Sequence, residues 1–74
     1  MRHTLVLYRR KYSLTQAQLA VKLGISEIYV RKLESGSRNP SVSTMLLYQN
    51  FFKVPMQKLF PDIFEVNNDT KCII

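Results

Sequence analysis

Apolar side chains recur at helical spacing in two short runs near the middle of the chain, Leu19, Ala20 and Leu23, then Val30 and Leu33. Each run follows a hydroxyl residue, Thr15 or Ser26, and stops at a glycine, Gly24 or Gly36. Residues three and four apart share a helix face, so each run predicts one buried stripe on one short helix. Thr15 with Gln18 has the spacing of a capping box: the hydroxyl accepts the amide of the third helical residue, and the glutamine reaches back to the Thr15 amide. Gly24 suits the left-handed conformation that ends a helix, which sets the first helix of the pair at about 16–23. Ile25 is apolar just before the second cap, Ser26, and the next helix runs from about Glu27 to Ser35 until Gly36 stops it.

Upstream, Thr4 caps a predicted helix through about Tyr12, with Leu5, Tyr8 and Tyr12 inward. Downstream, "RNPSVST" reads as a loop and then a helix start at Ser41, with Val42, Met45, Leu46, Gln49 and Phe52 on one face. Lys53 and Pro55 end that helix, because the residue before a proline avoids the helical region. "MQKLF" makes a last short helix before Pro61. The pattern predicts an all-α fold, a compact five-helix bundle over residues 1–61. Two of its helices, joined by about three residues with a glycine, form a helix-turn-helix arrangement. Residues 62–74 form a short tail, in which Phe64 and Val66, then Cys72, Ile73 and Ile74, flank the turn-prone "NND". That pattern fits a small β-hairpin, an arm crossing to a second subunit, or a disordered end.

A chain of 74 residues makes one domain with a thin core, which self-association would strengthen. Histidine and cysteine occur once each, His3 near the start and Cys72 near the end. Without a ligand-spaced cluster or a phosphate-cradling glycine loop, neither catalysis nor a metal or cofactor is expected. Cys72 has no partner for an internal disulfide. The opening "MRHTLVLYRRKY" lacks the apolar run of a signal peptide, and no stretch approaches the ~20 apolar residues that cross a bilayer, so a cytoplasmic chain with no membrane role is expected. The net charge of +6 is uneven: residues 1–58 carry ten Lys and Arg against Glu27 and Glu34, whereas 59–74 carry Lys71 against Asp62, Glu65 and Asp69. The basic part is a candidate surface for a polyanion, and it also reads as a solvated face.

The segments "LTQAQLAVKLGIS", "LESGSRNPSVSTML" and "VPMQKLF" resemble, in register over about residues 4–60, the helix-turn-helix family of phage repressors, Cro proteins and Xre-type bacterial regulators. The resemblance implies a lambda-repressor-like DNA-binding domain. It further implies a transcriptional regulator, a phage or bacterial repressor, acting as a homodimer on double-stranded DNA with a two-fold symmetric operator. Because fold does not fix function, the alternative is an antitoxin or anti-repressor-like module whose partner is a protein.

On a helical wheel Val30 and Leu33 mark the inner face of the Glu27–Ser35 helix, and Ile28, Arg31 and Lys32 lie opposite. The resemblance makes Glu27, Ile28 and Lys32, with Arg31 beside them, the base-reading positions. There a β-branched side chain contacts a thymine methyl, Lys or Arg donates to guanine, and Glu accepts from cytosine N4. Ile28 also reads as a scattered surface apolar residue, and Glu27 as a simple i,i+4 partner of Arg31. Gln16 opens its helix, where unpaired amides favour an anion, so by family analogy it contacts a phosphate. Thr15 and Ser26 at the helix starts, and Tyr29, Ser35, Ser37 and Arg38 along and past the reading helix, are the other backbone contacts the resemblance implies. Tyr29 and Arg31 stand where the family often has small hydroxyl residues, which leaves the depth of the helix in the groove open; Tyr29 either packs beside the core or reaches a phosphate. Arg9 and Glu34 match family positions that form a structural ion pair between the first and third helices.

Leu47 and Phe51 disobey the expected pattern of the fourth helix by pointing away from its apolar face. Two large apolar residues at i,i+4 on an outward face predict a dimer interface, unless residues 63–74 fold back and cover them.

Overall fold

A computed structural model of the chain describes residues 1–64. Its helices are α1 (His3–Lys11), α2 (Gln16–Leu23), α3 (Glu27–Ser35), α4 (Val42–Phe52) and α5 (Met56–Leu59). A further helical stretch, α6, covers 61–64. The fold is an all-helical bundle, and no described helix is long and apolar enough to cross a membrane.

Local chemistry sets the boundaries of α2 and α3. The Gln18 amide donates to Thr15 Oγ1 at 3.1 Å and the Thr15 amide donates to Gln18 Oε1 at 2.9 Å, completing the capping box. The Tyr29 amide donates to Ser26 Oγ at 3.1 Å. Gly24 (φ 74°) and Gly36 (φ 88°) end the two helices in the left-handed region, where a side chain would be strained. α1 differs from expectation: it begins at His3, its cap is Arg2 with no side-chain hydrogen bond, and Thr4 sits inside the first turn. Of its three expected inward residues, Leu5 is fully buried and Tyr8 half-buried, but Tyr12 is 45% exposed. Tyr12 lies just past the helix, where its hydroxyl donates to the Phe52 carbonyl at 3.3 Å.

The core gathers Leu5 from α1, Leu19, Ala20 and Leu23 from α2, Val30 and Leu33 from α3, and Met45, Tyr48 and Phe52 from α4, closed by Leu59 and Phe60. α4 turns a different face inward from the one its sequence predicts. Thr44, Met45, Tyr48 and Phe52 are buried, whereas Val42 and Leu46 are 65% and 41% exposed. The helix is apolar almost all round, and its two large rings decide the orientation. Tyr48 meets Phe60 edge-on at 5.4 Å between centroids, and burying such rings outweighs burying a valine and a leucine. The same rotation takes Phe51 off the outward face: it is half-buried against Tyr12 (5.8 Å) and Phe52 (5.0 Å), while Leu47 stays 39% exposed.

The tail begins as helix, not strand. Ile63 and Phe64 in α6 pack against the core, which removes Phe64 from the expected hairpin. The rest of that hairpin or arm, from Val66 to Ile74, lies outside the described residues.

Candidate nucleic-acid interface

α3 presents its polar face because its apolar stripe and one carboxylate are turned inward. Val30, Leu33 and Glu34 are buried, Ile28, Arg31, Lys32 and Ser35 are exposed on the far side, and Glu27 is exposed in the first turn, in line with Glu34 two turns on. Ile28 is 61% exposed, with Lys32 one turn on. Arg31 Nη2 donates to Glu27 Oε2 at 2.9 Å, an i,i+4 pair in which both side chains remain about half exposed. Such a pair contributes little to stability, so either member is free to exchange its partner for another at low cost.

Tyr29 faces sideways from that surface. Its hydroxyl shares a 3.2 Å hydrogen bond with Thr44 Oγ1, which ties α3 to α4, and the Arg38 guanidinium lies 5.6 Å from its ring centroid. The ring thus packs beside the core, and its face supports Arg38 in the α3–α4 loop. Ser26, Ile28, Tyr29, Lys32 and Arg38 together line a shallow groove of about 280 Å³. Ser35 Oγ donates to the Lys32 carbonyl at 3.1 Å and accepts from Ser37 Oγ at 3.0 Å, beside the Gly36, Ser37 and Arg38 amides that the same carbonyl accepts at the end of α3.

Gln16 is the first residue of α2 and Thr15 its cap. The Gln16 side chain is half-buried, and its Nε2 donates to Glu34 Oε1 at 3.0 Å. Glu34 is 2% exposed and takes a two-pronged grip from Arg9, Nε to Oε2 at 2.7 Å and Nη2 to Oε1 at 3.1 Å. Arg9 Nη1 also donates to the Leu14 carbonyl at 2.9 Å, on the strip of chain that leads into α2. A planar guanidinium with its fork of donors matches a carboxylate and a carbonyl together, which an ammonium does not. The arrangement holds α1, the start of α2 and the end of α3 on one buried charge pair.

Sequence reasoning missed Arg2. Its guanidinium is almost fully buried beneath the end of α3. There Nη1 donates to the carbonyls of Leu33 and Arg38, both at 2.8 Å, and Nη2 to Asn39 Oδ1 at 2.7 Å. Nε donates to the Asp62 carboxylate at 3.1 Å. The Arg2 amide adds a bond to the Glu34 carbonyl at 2.7 Å. A cation at a helix C-terminus offsets the negative end of the dipole and gives the carbonyls there a charged donor. No local pattern betrays this, since the partners lie 31 to 60 residues away.

Two short capped helices meeting across a glycine turn, with the second held by buried charge and baring its polar face, define the class of helix-turn-helix DNA-binding domains. The helix-turn-helix family model matches residues 5–59, and the chain belongs to that family. It is also similar to an uncharacterised HTH-type transcriptional regulator of Methanocaldococcus jannaschii, with 35% identity over 60 residues covering 81% of this chain and 91% of that relative. No solved structure gives a significant match.

Proposed function

We propose that the chain is a sequence-specific regulator of transcription that binds double-stranded DNA in the cytoplasm and reads the major groove with α3. The observation that carries this reading is the outer face of α3, where Glu27, Ile28, Arg31 and Lys32 are all exposed although the helix is locked from behind by Glu34. In the groove, Ile28 meets a thymine methyl, Lys32 donates to guanine, and Arg31 and Glu27 part to take a guanine and a cytosine amino group. Flanking phosphates are gripped at the N-terminus of α2 by the Gln16 amide and side chain beside Thr15, and near Ser26 at the start of α3. Ser35, Ser37 and Arg38 hold the backbone farther along, with Tyr29 supporting Arg38 from below. Such contacts fix register without reading sequence. Reading two half-sites of a symmetric operator takes two copies of α3, hence a homodimer.

Selection of bound sites from random duplex DNA tests this. Enrichment of a two-fold motif is expected. Failure to enrich any motif would overturn the reading and favour a protein-binding module, such as an antitoxin, on the same fold.

A further inference from the structure

α4 carries no charged residue in its 11 positions, although the chain has a net charge of +6. Its outward face holds three large apolar side chains, Val42 (65% exposed), Leu46 (41%) and Leu47 (39%), more than any other described helix. Ser43 and Asn50 are exposed between them, and half-buried Phe51 closes the far edge.

The order of these six residues is a palindrome of polarity. About a point midway between Leu46 and Leu47, Ser43 reflects onto Asn50 and Val42 onto Phe51. At ~100° per residue, Ser43 and Asn50 then lie close to the outward direction, Leu46 and Leu47 about 50° to either side, and Val42 and Phe51 at the margins. The buried residues Thr44, Met45, Tyr48 and Phe52 occupy the opposite side, so the centre of the palindrome points straight away from the core.

We propose that this face is where a second copy of the chain docks, with the two α4 helices antiparallel about a two-fold axis at Leu46 and Leu47. That register brings Leu46 level with the other copy's Leu47 and sets the Ser43 hydroxyl against its Asn50 amide, with Val42 and Phe51 left on opposite margins of the contact. Apolar meets apolar and donor meets acceptor in both central layers, which is what a two-fold interface requires of a single surface. Charge selects the same face: two chains of +6 repel over most of their surface, and α4 brings no Lys or Arg into contact with its copy. The pairing deepens the reading of a two-fold operator and rests on it for its purpose. Its test is made without DNA, so the two fail separately.

α4 is about 16 Å long at 1.5 Å per residue, so the contact is small. A dissociation constant of roughly 10 to 100 µM is expected for the free protein. Sedimentation equilibrium of the full chain is the experiment, with the wild type, Leu46→Glu/Leu47→Glu and Leu46→Lys/Leu47→Lys, each checked for retained helix by circular dichroism. Each double variant alone sets like charges across the axis and should associate at least about tenfold more weakly. An equimolar mixture of the two should re-associate, because acid then faces base. A wild type that stays monomeric at the highest concentration overturns the pairing, as does a dimer that both variants leave intact. A mixture of folded variants that fails to re-associate gives the face to another occupant.

Discussion

The side-chain amide of Gln16 donates to Glu34 Oε1 at 3.0 Å, and that carboxylate simultaneously holds the Arg9 guanidinium at 2.7 Å. One buried charge on α3 therefore fastens the capped start of α2 to the end of α3. A glutamine amide has two N–H donors. With one on Glu34, the other remains beside the first amides of α2, where the proposed function places a phosphate. The spacing between Gln16 and the outer face of α3 is thereby fixed within the protein.

Gln16→Ala is accordingly expected to weaken binding to a selected site and to random duplex by the same factor, since a phosphate contact carries no base information. Titration of both DNAs checks this. A shift in the selected motif would move Gln16 from the backbone to a base.

Glu34→Ala leaves the Arg9 guanidinium nearly buried without its carboxylate, and a cost of about 3–5 kcal/mol in urea unfolding is expected. Glu27→Ala breaks the exposed pair with Arg31 at the other end of the same helix and should cost under about 1 kcal/mol. Equal losses for the two variants would show that burial of the Arg9–Glu34 pair does not matter.

Ile28→Ala should leave stability within about 0.5 kcal/mol, because the side chain is 61% exposed. On DNA it should relax preference at one base pair while hardly altering affinity for random duplex, because the methyl contact is local and the phosphate grip is intact. Parallel site selections for wild type and variant read this directly. An equal fold-loss on both DNAs would remove Ile28 from the reading set.

What the sequence made legible follows the range of the interactions. The caps at Thr15 and Ser26 and the stops at Gly24 and Gly36 act within four residues, so composition and spacing were enough to draw α2 and α3. The orientation of α4 was not legible, because Val42, Leu46, Leu47 and Phe51 are as apolar as the residues it buries, and only the fit of Tyr48 against Phe60 decides between faces. Arg2 read as one more basic residue because its partners arrive from the end of α3 and from Asp62. For Gln16, position at a helix start was informative about its backbone, but its side-chain partner on Glu34 is set by tertiary packing.

Tyr48 is fully buried, and among the described residues its hydroxyl is the one buried side-chain polar atom without a hydrogen-bond partner. Burial pushes its pKa well above the ordinary tyrosine value, with the nearby Glu34 charge adding to the shift. Tyr48→Phe keeps the ring and removes the unpaired group, so a gain of about 1 kcal/mol is expected, or a rise in Tm of roughly 4–8 °C. The pH dependence has a definite sign. A raised folded pKa means that stability is complete below the unfolded value of about 10 and falls as pH rises beyond it. The wild type should therefore lose stability more steeply than Tyr48→Phe above about pH 10. A destabilised Tyr48→Phe would mean that the hydroxyl has a partner after all, and identical alkaline profiles that it titrates alike in the folded and unfolded chain.

Arg2 joins the start of the chain to the end of α3, and three variants separate its contacts. Arg2→Ala leaves the Leu33 and Arg38 carbonyls without the donor each now has at 2.8 Å. Bonds from a charged donor to buried carbonyls carry more than neutral ones, so a loss of about 2–3 kcal/mol is expected. Asp62→Asn removes only the ion pair, whose carboxylate side is 51% exposed, and should cost under about 1 kcal/mol. Arg2→Lys should recover little of the loss, because a single ammonium cannot span two carbonyls, Asn39 and Asp62 in the plane that the guanidinium fork covers. The three variants are compared by their urea midpoints at constant slope. The order wild type, Asp62→Asn, Arg2→Lys, Arg2→Ala from most to least stable is expected. If Asp62→Asn proved as costly as Arg2→Ala, the ion pair to α6 would be what holds the end of α3, and the carbonyl contacts would follow from it.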